Sequence, residues 1–207
     1  MKKATKKATK KKFVKKPATV LVLRTCAHDG RSYNGFMWPL TVGGKVSAPD
    51  WKPTQECGHG LHGALWGEGD GSLFSWEPDA KWLVVEVDST SVIDLSGKVK
   101  FPSCVIRHIG DRTSATAFLA DHLPKRTQPF VLIGGTATAG DGGTATAGDR
   151  GTATAGYCGT ATAGDRGTAT AGDRGTATAG YCGTATAGDR GTATAGDRGT
   201  ATAGYCG

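Results

Sequence analysis

Residues 135–206 are nine consecutive copies of one eight-residue unit, followed by Gly207. The unit reads GTATAGDG once, GTATAGDR five times and GTATAGYC three times. Self-similarity at so short a period marks an architecture whose units bury their faces only against one another. Every unit carries at least two glycines, each costing about 1 kcal/mol against alanine inside a helix, so a helical array is excluded. Thr-Ala-Thr-Ala alternates strictly, which in an extended chain sends threonine to one side and alanine to the other. The Gly-Asp-Arg-Gly and Gly-Tyr-Cys-Gly stretches between supply permissive backbone for a tight corner. Glycine-rich low-complexity sequence also occurs as disordered chain, but a strictly kept alternation favours an ordered β-solenoid over 134–207.

The number of units per coil decides which side chains stack. Two units give a flat two-sided coil of sixteen residues, and three give a triangular coil of twenty-four. Tyr157, Tyr181 and Tyr205 recur every twenty-four residues, which would align tyrosine and cysteine ladders in the triangular form. Volume points the other way, because an interior lined only by alanine fills the gap between two sheets and leaves a triangular centre hollow. The sixteen-residue coil is therefore expected. It puts Cys158 and Cys182 on opposite edges, and Cys158 and Cys206 on one edge about 14 Å apart at ~4.8 Å per rung, beyond disulfide reach. Tyr157, Tyr181, Tyr205 and the thiols beside them are candidate association residues, since exposed aromatic edges make natural contacts.

The stretch AGYCGTATAGDRGTAT at 155–170 resembles the AGYGSTxT octapeptide repeats of bacterial ice nucleation proteins, with the same Ala-Gly-Tyr corner and Thr-x-Thr. The resemblance runs from about residue 134 onward. It implies a two-sided β-solenoid that orders water on Thr-x-Thr rows, and insect antifreeze solenoids use a similar row. Residue by residue it marks Thr136, Thr138, Thr144, Thr146, Thr152, Thr154, Thr160, Thr162, Thr168, Thr170, Thr176, Thr178, Thr184, Thr186, Thr192, Thr194, Thr200 and Thr202 as the surface meeting ice or ordered water. The chain departs from that pattern in spacing tyrosine by twenty-four rather than sixteen residues and in having only nine units. Thr-x-Thr is also ordinary strand sequence on a solvated face, so a structural rod that self-associates through an open solenoid end is the rival reading.

Upstream the composition changes twice. Residues 1–17 hold nine lysines and no acid. With +7 on the whole chain, the remainder carries about −2, so the basic balance belongs to this arm. A lysine run without a periodic apolar face cannot bury enough surface to order itself, and it suits loose, salt-sensitive contact with a polyanion. No run approaches the ~20 apolar residues that span a bilayer, and a cytoplasmic protein is expected.

Residues 18–133 read as a small α+β domain placed to cap the solenoid. Strand-like runs fall at 19–25, 82–88, 91–95, 98–101 and 104–109, predicting a small mixed sheet. A helix is predicted from Asp111 as N-cap through Phe118, Leu119 and Leu123, ended by Pro124. The segment CGHGLHG at 57–63 is the most chemically suggestive. Cys57, His59 and His62, with Cys26 and His28, are candidate ligands for one metal, but the spacing matches no zinc module. The glycines at 58, 60 and 63 point instead to close backbone approach beside a strand. A catalytic reading takes Cys57 as nucleophile with His59 or His62 as base, or Glu68 or Glu86 as an acid, though nothing in the sequence orients such a set. No cofactor motif is present, and an enzyme is not expected.

Overall fold

The computed structural model describes residues 18–127 and 130–207; the lysine-rich arm at 1–17 lies outside the described residues. Seven strands precede the repeat: β1 (Thr19–Cys26), β2 (Lys45–Ser47), β3 (Leu61–Leu65), β4 (Lys81–Asp88), β5 (Ile93–Asp94), β6 (Val99–Phe101) and β7 (Ser103–Gly110). They form one sheet in the order β2-β7-β4-β1-β3-β6-β5. Every pairing is antiparallel, so the sheet is not the mixed one expected from sequence. Antiparallel neighbours need only short connections, and the three links joining β4 through β7 are one to four residues long.

Both faces of this sheet are covered, which explains the nearly continuous apolar run of β4. Leu83, Val85 and Val87 enter one core with Val20, Val22, Trp38, Phe101 and Ile106. Trp82 and Val84 enter the other with Leu23, Phe74, Ala115 and Leu119. The second core lies under α1 (Arg112–Asp121), whose N-cap Asp111 accepts a hydrogen bond from the Ser114 amide at 2.8 Å. The expected run at 91–95 contracts to β5, because Asp94 turns to accept from the Ser96 amide and Ser96 adopts φ 58°. β2 and β3 were not foreseen. At Gly63 in β3, a Cβ would stand 2.5 Å from Val22 Cγ1 and 2.6 Å from the Leu23 carbonyl oxygen, so the predicted close approach to a strand is present there.

The repeat gives nine four-residue strands: β8 (Thr136–Ala139), β9 (Thr144–Ala147), β10 (Thr152–Ala155), β11 (Thr160–Ala163), β12 (Thr168–Ala171), β13 (Thr176–Ala179), β14 (Thr184–Ala187), β15 (Thr192–Ala195) and β16 (Thr200–Ala203). Each pairs in parallel with the strand sixteen residues away, in register: Thr152 with Thr136 and Thr168, Thr160 with Thr144 and Thr176. Two parallel sheets result, β16-β14-β12-β10-β8 and β15-β13-β11-β9. The chain is thus a β-solenoid of two-sided sixteen-residue coils, and the triangular alternative is excluded. Its interior is almost wholly alanine, with Ala153, Ala161, Ala169, Ala177 and Ala185 fully buried.

Corners are β-turns closed by bonds such as Gly151 N–H to Gly148 O at 3.0 Å. The third turn residue is left-handed, at φ 52° in Arg150 and 53° in Cys158. Gly142, at φ 66°, occupies the same place in the first unit. The preceding aspartate ties coil to coil. Asp141, Asp149, Asp165, Asp173 and Asp189 each accept, through Oδ1, from the backbone N–H sixteen residues on, at 2.8–3.2 Å. Asp165→Ala is expected to lower stability by about 1 kcal/mol, the worth of one such bond, read as a reduced urea midpoint with unchanged slope.

The first coil is docked on the sheet domain. Leu132 and Ile133 join the core beneath α1. The Ile133 amide donates to Gly67 O at 2.9 Å, and Gly148 N–H donates to Leu132 O at 3.1 Å. Asp149 Oδ2 accepts from Gly71 N–H at 3.0 Å, and the Arg150 guanidinium lies 4.4 Å from the Trp76 ring centroid. The connecting segment is held by Glu68, whose carboxylate forks onto Arg126 at 2.6 and 2.7 Å and accepts from Val131 N–H at 2.8 Å.

Candidate functional site: the threonine rows and the cleft of the sheet domain

Because alanine faces inward at every strand, all eighteen repeat threonines face outward. In-register pairing aligns them into columns. Thr136, Thr152, Thr168, Thr184 and Thr200 form one column and Thr138, Thr154, Thr170, Thr186 and Thr202 its neighbour on the five-stranded face. Thr144, Thr160, Thr176 and Thr192, with Thr146, Thr162, Thr178 and Thr194, form the pair on the four-stranded face. The first threonine of every strand is exposed and the second exposed or half-buried. General strand geometry gives a grid of ~4.8 Å along the solenoid axis and ~6.8 Å across it. β-Branching holds each χ1 stiffly, so methyls and hydroxyls are repeated at fixed positions.

The edges carry different chemistry. Tyrosine and cysteine recur every twenty-four residues on a coil of sixteen, so Tyr157 and Tyr205 fall on one edge and Tyr181 on the other. At Tyr157 and Tyr181 the aspartate ladder is interrupted and an arginine of the next coil stands over the ring, Arg174 at 5.9 Å and Arg198 at 6.0 Å. Arg198 Nη1 also donates to the Tyr181 hydroxyl at 3.1 Å. Cys158, Cys182 and Cys206 are free thiols, placed on alternating edges as the sixteen-residue coil requires.

In the sheet domain Cys57, His59, His28, Glu68 and Glu86, all singled out from sequence, take partners other than one another. Lys98 Nζ donates to Cys57 Sγ at 3.0 Å. His59 Nδ1 lies 3.5 Å from the Asp50 carboxylate and His28 Nδ1 3.3 Å from that of Asp79. Glu86 is paired with Arg107, as Glu68 is with Arg126. Among the described residues no three His, Cys, Asp or Glu side chains converge as metal ligands. Burial first, then the positive charges of Lys98, Arg24 and Lys100, push the His62 imidazole down to about 4. The hydrogen bond from Lys98 is the main cause holding the Cys57 thiol below its ordinary value, while burial pushes Cys104 up to about 12. Iodoacetamide at neutral pH is therefore expected to alkylate Cys57 well before Cys104. Lys98→Ala should slow the Cys57 reaction several-fold, measured by peptide mass spectrometry over time.

The sequence did not reveal what surrounds these residues. Cys26, His28, Cys57, His59 and His62 line a cleft of about 1170 Å³ with Arg24, Arg31, Phe36, Trp38 and Phe74, whereas Glu68 and Glu86 lie outside it. Lys100, fully buried in β6, donates to Glu56 O at 2.8 Å and holds the loop before Cys57. Nothing in the sequence pointed to its burial, since strand alternation puts Lys100 on the face opposite Val99 and Phe101, and that face is covered too.

The domain family described as a domain of unknown function (DUF7666) matches residues 20–121. The chain is 41% identical over 105 residues to ice nucleation protein InaU of Pantoea ananas, covering 50% of this chain and 10% of that protein. Similar matches join it to ice nucleation proteins of Pseudomonas fluorescens, 41% over 112 residues, 53% of this chain and 9% of the relative, and of Pseudomonas syringae, 41% over 102 residues, 48% and 9%. The chain spans about a tenth of the length of these relatives. No solved structure matches it. The chain is thus similar, over about half its length, to proteins named ice nucleation proteins, and it carries a β-solenoid of sixteen-residue coils.

Proposed function

We propose that the solenoid binds ice or ordered water through its Thr-x-Thr columns. The observation that carries this reading is the in-register stacking of all nine Thr-Ala-Thr-Ala strands, which repeats one pair of threonines along each face without a gap. A surface of fixed, regularly spaced hydroxyls and methyls holds adjoining water in order at low entropic cost, because the protein side is already ordered. The naming of the relatives for ice nucleation supports the same reading. The sheet domain serves as the platform on which the first coil forms, through the Asp149 and Arg150 contacts with Gly71 and Trp76. The test is ice-crystal shaping and droplet freezing by the purified chain. Shaped crystals, or freezing above the buffer control, support the assignment; a folded chain that does neither defeats it.

Association between copies is a second reading. β15 and β16 each pair with a neighbouring strand on one side, and a strand edge of this kind offers backbone donors and acceptors to another chain. In that case the apparent mass rises with concentration, and replacing outward threonines by serine leaves the rise unchanged.

A further inference from the structure

We propose that the cleft of the sheet domain binds a small organic anion, a carboxylate or phosphate ester on an aromatic or apolar body, with Arg24 as its anchor. Arg24 lies near the end of β1, its guanidinium carbon 3.7 Å from the Trp38 ring centroid. Nη1 donates to His62 O and Nη2 to Thr25 O, each at 3.2 Å. An arginine carries five N–H donors, so three remain, and Nε is shut off from water without an acceptor. Among the described residues no carboxylate lies within ion-pair distance of Arg24. A desolvated cation left without a counter-charge is costly to the fold. Consistently, burial pushes the Arg24 guanidinium down to about 10.

A second observation points to the same ligand. His62 Nε2, in the lining of the same cleft, is likewise buried and without a partner. Lys98 and Lys100 add two further positive charges that, with Arg24, act on this ring. Neither lysine has a carboxylate partner among the described residues; Lys98 bonds the Cys57 sulfur and Lys100 backbone carbonyls. Of the acids that line the cleft, Asp79 lies beside His28, Glu77 stands near it in sequence, and Asp50, which pairs with His59, acts on the His62 ring less than the three cations do. The part of the cleft around Arg24 and His62 is therefore cationic, and it is floored by aromatic rings, Trp38 with Phe36 edge-on at 5.7 Å. A guanidinium stacked on an aromatic face and presenting free N–H groups is a natural partner for a planar or tetrahedral oxyanion.

The experiment is a titration of the full chain with benzoate, with phenyl phosphate and with benzyl alcohol as the uncharged comparison, followed by 15N–1H amide shifts. Saturable shifts at residues 24–38 and 57–63 with at least one anion, absent with benzyl alcohol, are expected. The tighter of the two anions identifies the headgroup. Arg24→Gln should weaken that binding about tenfold, the loss typical of one charge-assisted contact. If Arg24→Gln does not fold, Lys98→Ala at the rim provides the check, with a weakening of a few-fold. No saturable shift with either anion, an equal response to benzyl alcohol, or shifts confined to the solenoid would each overturn the proposal.

Discussion

One methyl group added at Gly167 is expected to destabilise the solenoid by about 3 kcal/mol, at the upper end of what overpacking a tight core costs. The interior row of each unit is Gly-Ala-Ala, and Gly167 begins one. A Cβ there would stand 2.8 Å from Ala163 Cβ, 2.9 Å from Gly164 O and 3.0 Å from Gly151 O. Two of these neighbours are backbone, fixed by the ladder, and the third is already the smallest side chain. Nothing can yield without separating the sheets. Gly140→Ala is the comparison: a Cβ at that corner meets nothing within 4 Å, and its expected change is within about 0.5 kcal/mol. Denaturant unfolding followed at the β-sheet ellipticity minimum measures both. Equal stability of the two variants would mean that the interior is looser than close packing of alanine on alanine.

Replacing Thr168, Thr170, Thr184 and Thr186 by lysine is expected to remove any ice activity of the five-stranded face while leaving the coil intact. These four side chains lie outside the alanine core and contribute no buried hydrogen bond to it. Lysine brings a strongly hydrated mobile charge in place of a stiff methyl and hydroxyl, so the regular grid is broken across two adjacent coils. Freezing temperature and crystal habit should move to those of buffer if that face alone is active. The matched substitution of Thr160, Thr162, Thr176 and Thr178 tests the four-stranded face. Activity that survives both sets, with circular dichroism unchanged, would defeat the threonine assignment.

The coil size was legible in sequence because it follows from volume alone: alanine interiors demand two closely packed sheets, and the sixteen-residue register bears this out. The helix start was legible through Asp111, but the helix ends at Asp121, short of the expected Leu123 and Pro124; β1, β4 and β7 were legible through runs of branched side chains. β3 escaped because LHGAL has neither alternation nor β-branching; it is a strand because Gly63 lets it lie against Val22 and Leu23. β2 is three residues long, too short to show a period. The threonine columns could be named from the repeat. The cleft could not, since Arg24 sits in a strand that reads as core, and its lack of a counter-ion is a property of three-dimensional neighbours.

Two rulers of different length run along the repeat. The coil closes every sixteen residues, whereas the chemical motif of two arginine corners and one tyrosine corner closes every twenty-four. An added block of twenty-four is one and a half coils, so every strand beyond it changes sheets and every corner changes edges. In most solenoids such a half-turn offset would scramble the surface. Here both sheets bear the same threonine pair and both edges the same corner residues, so the molecule can gain or lose length in eight-residue steps and present the same faces afterward.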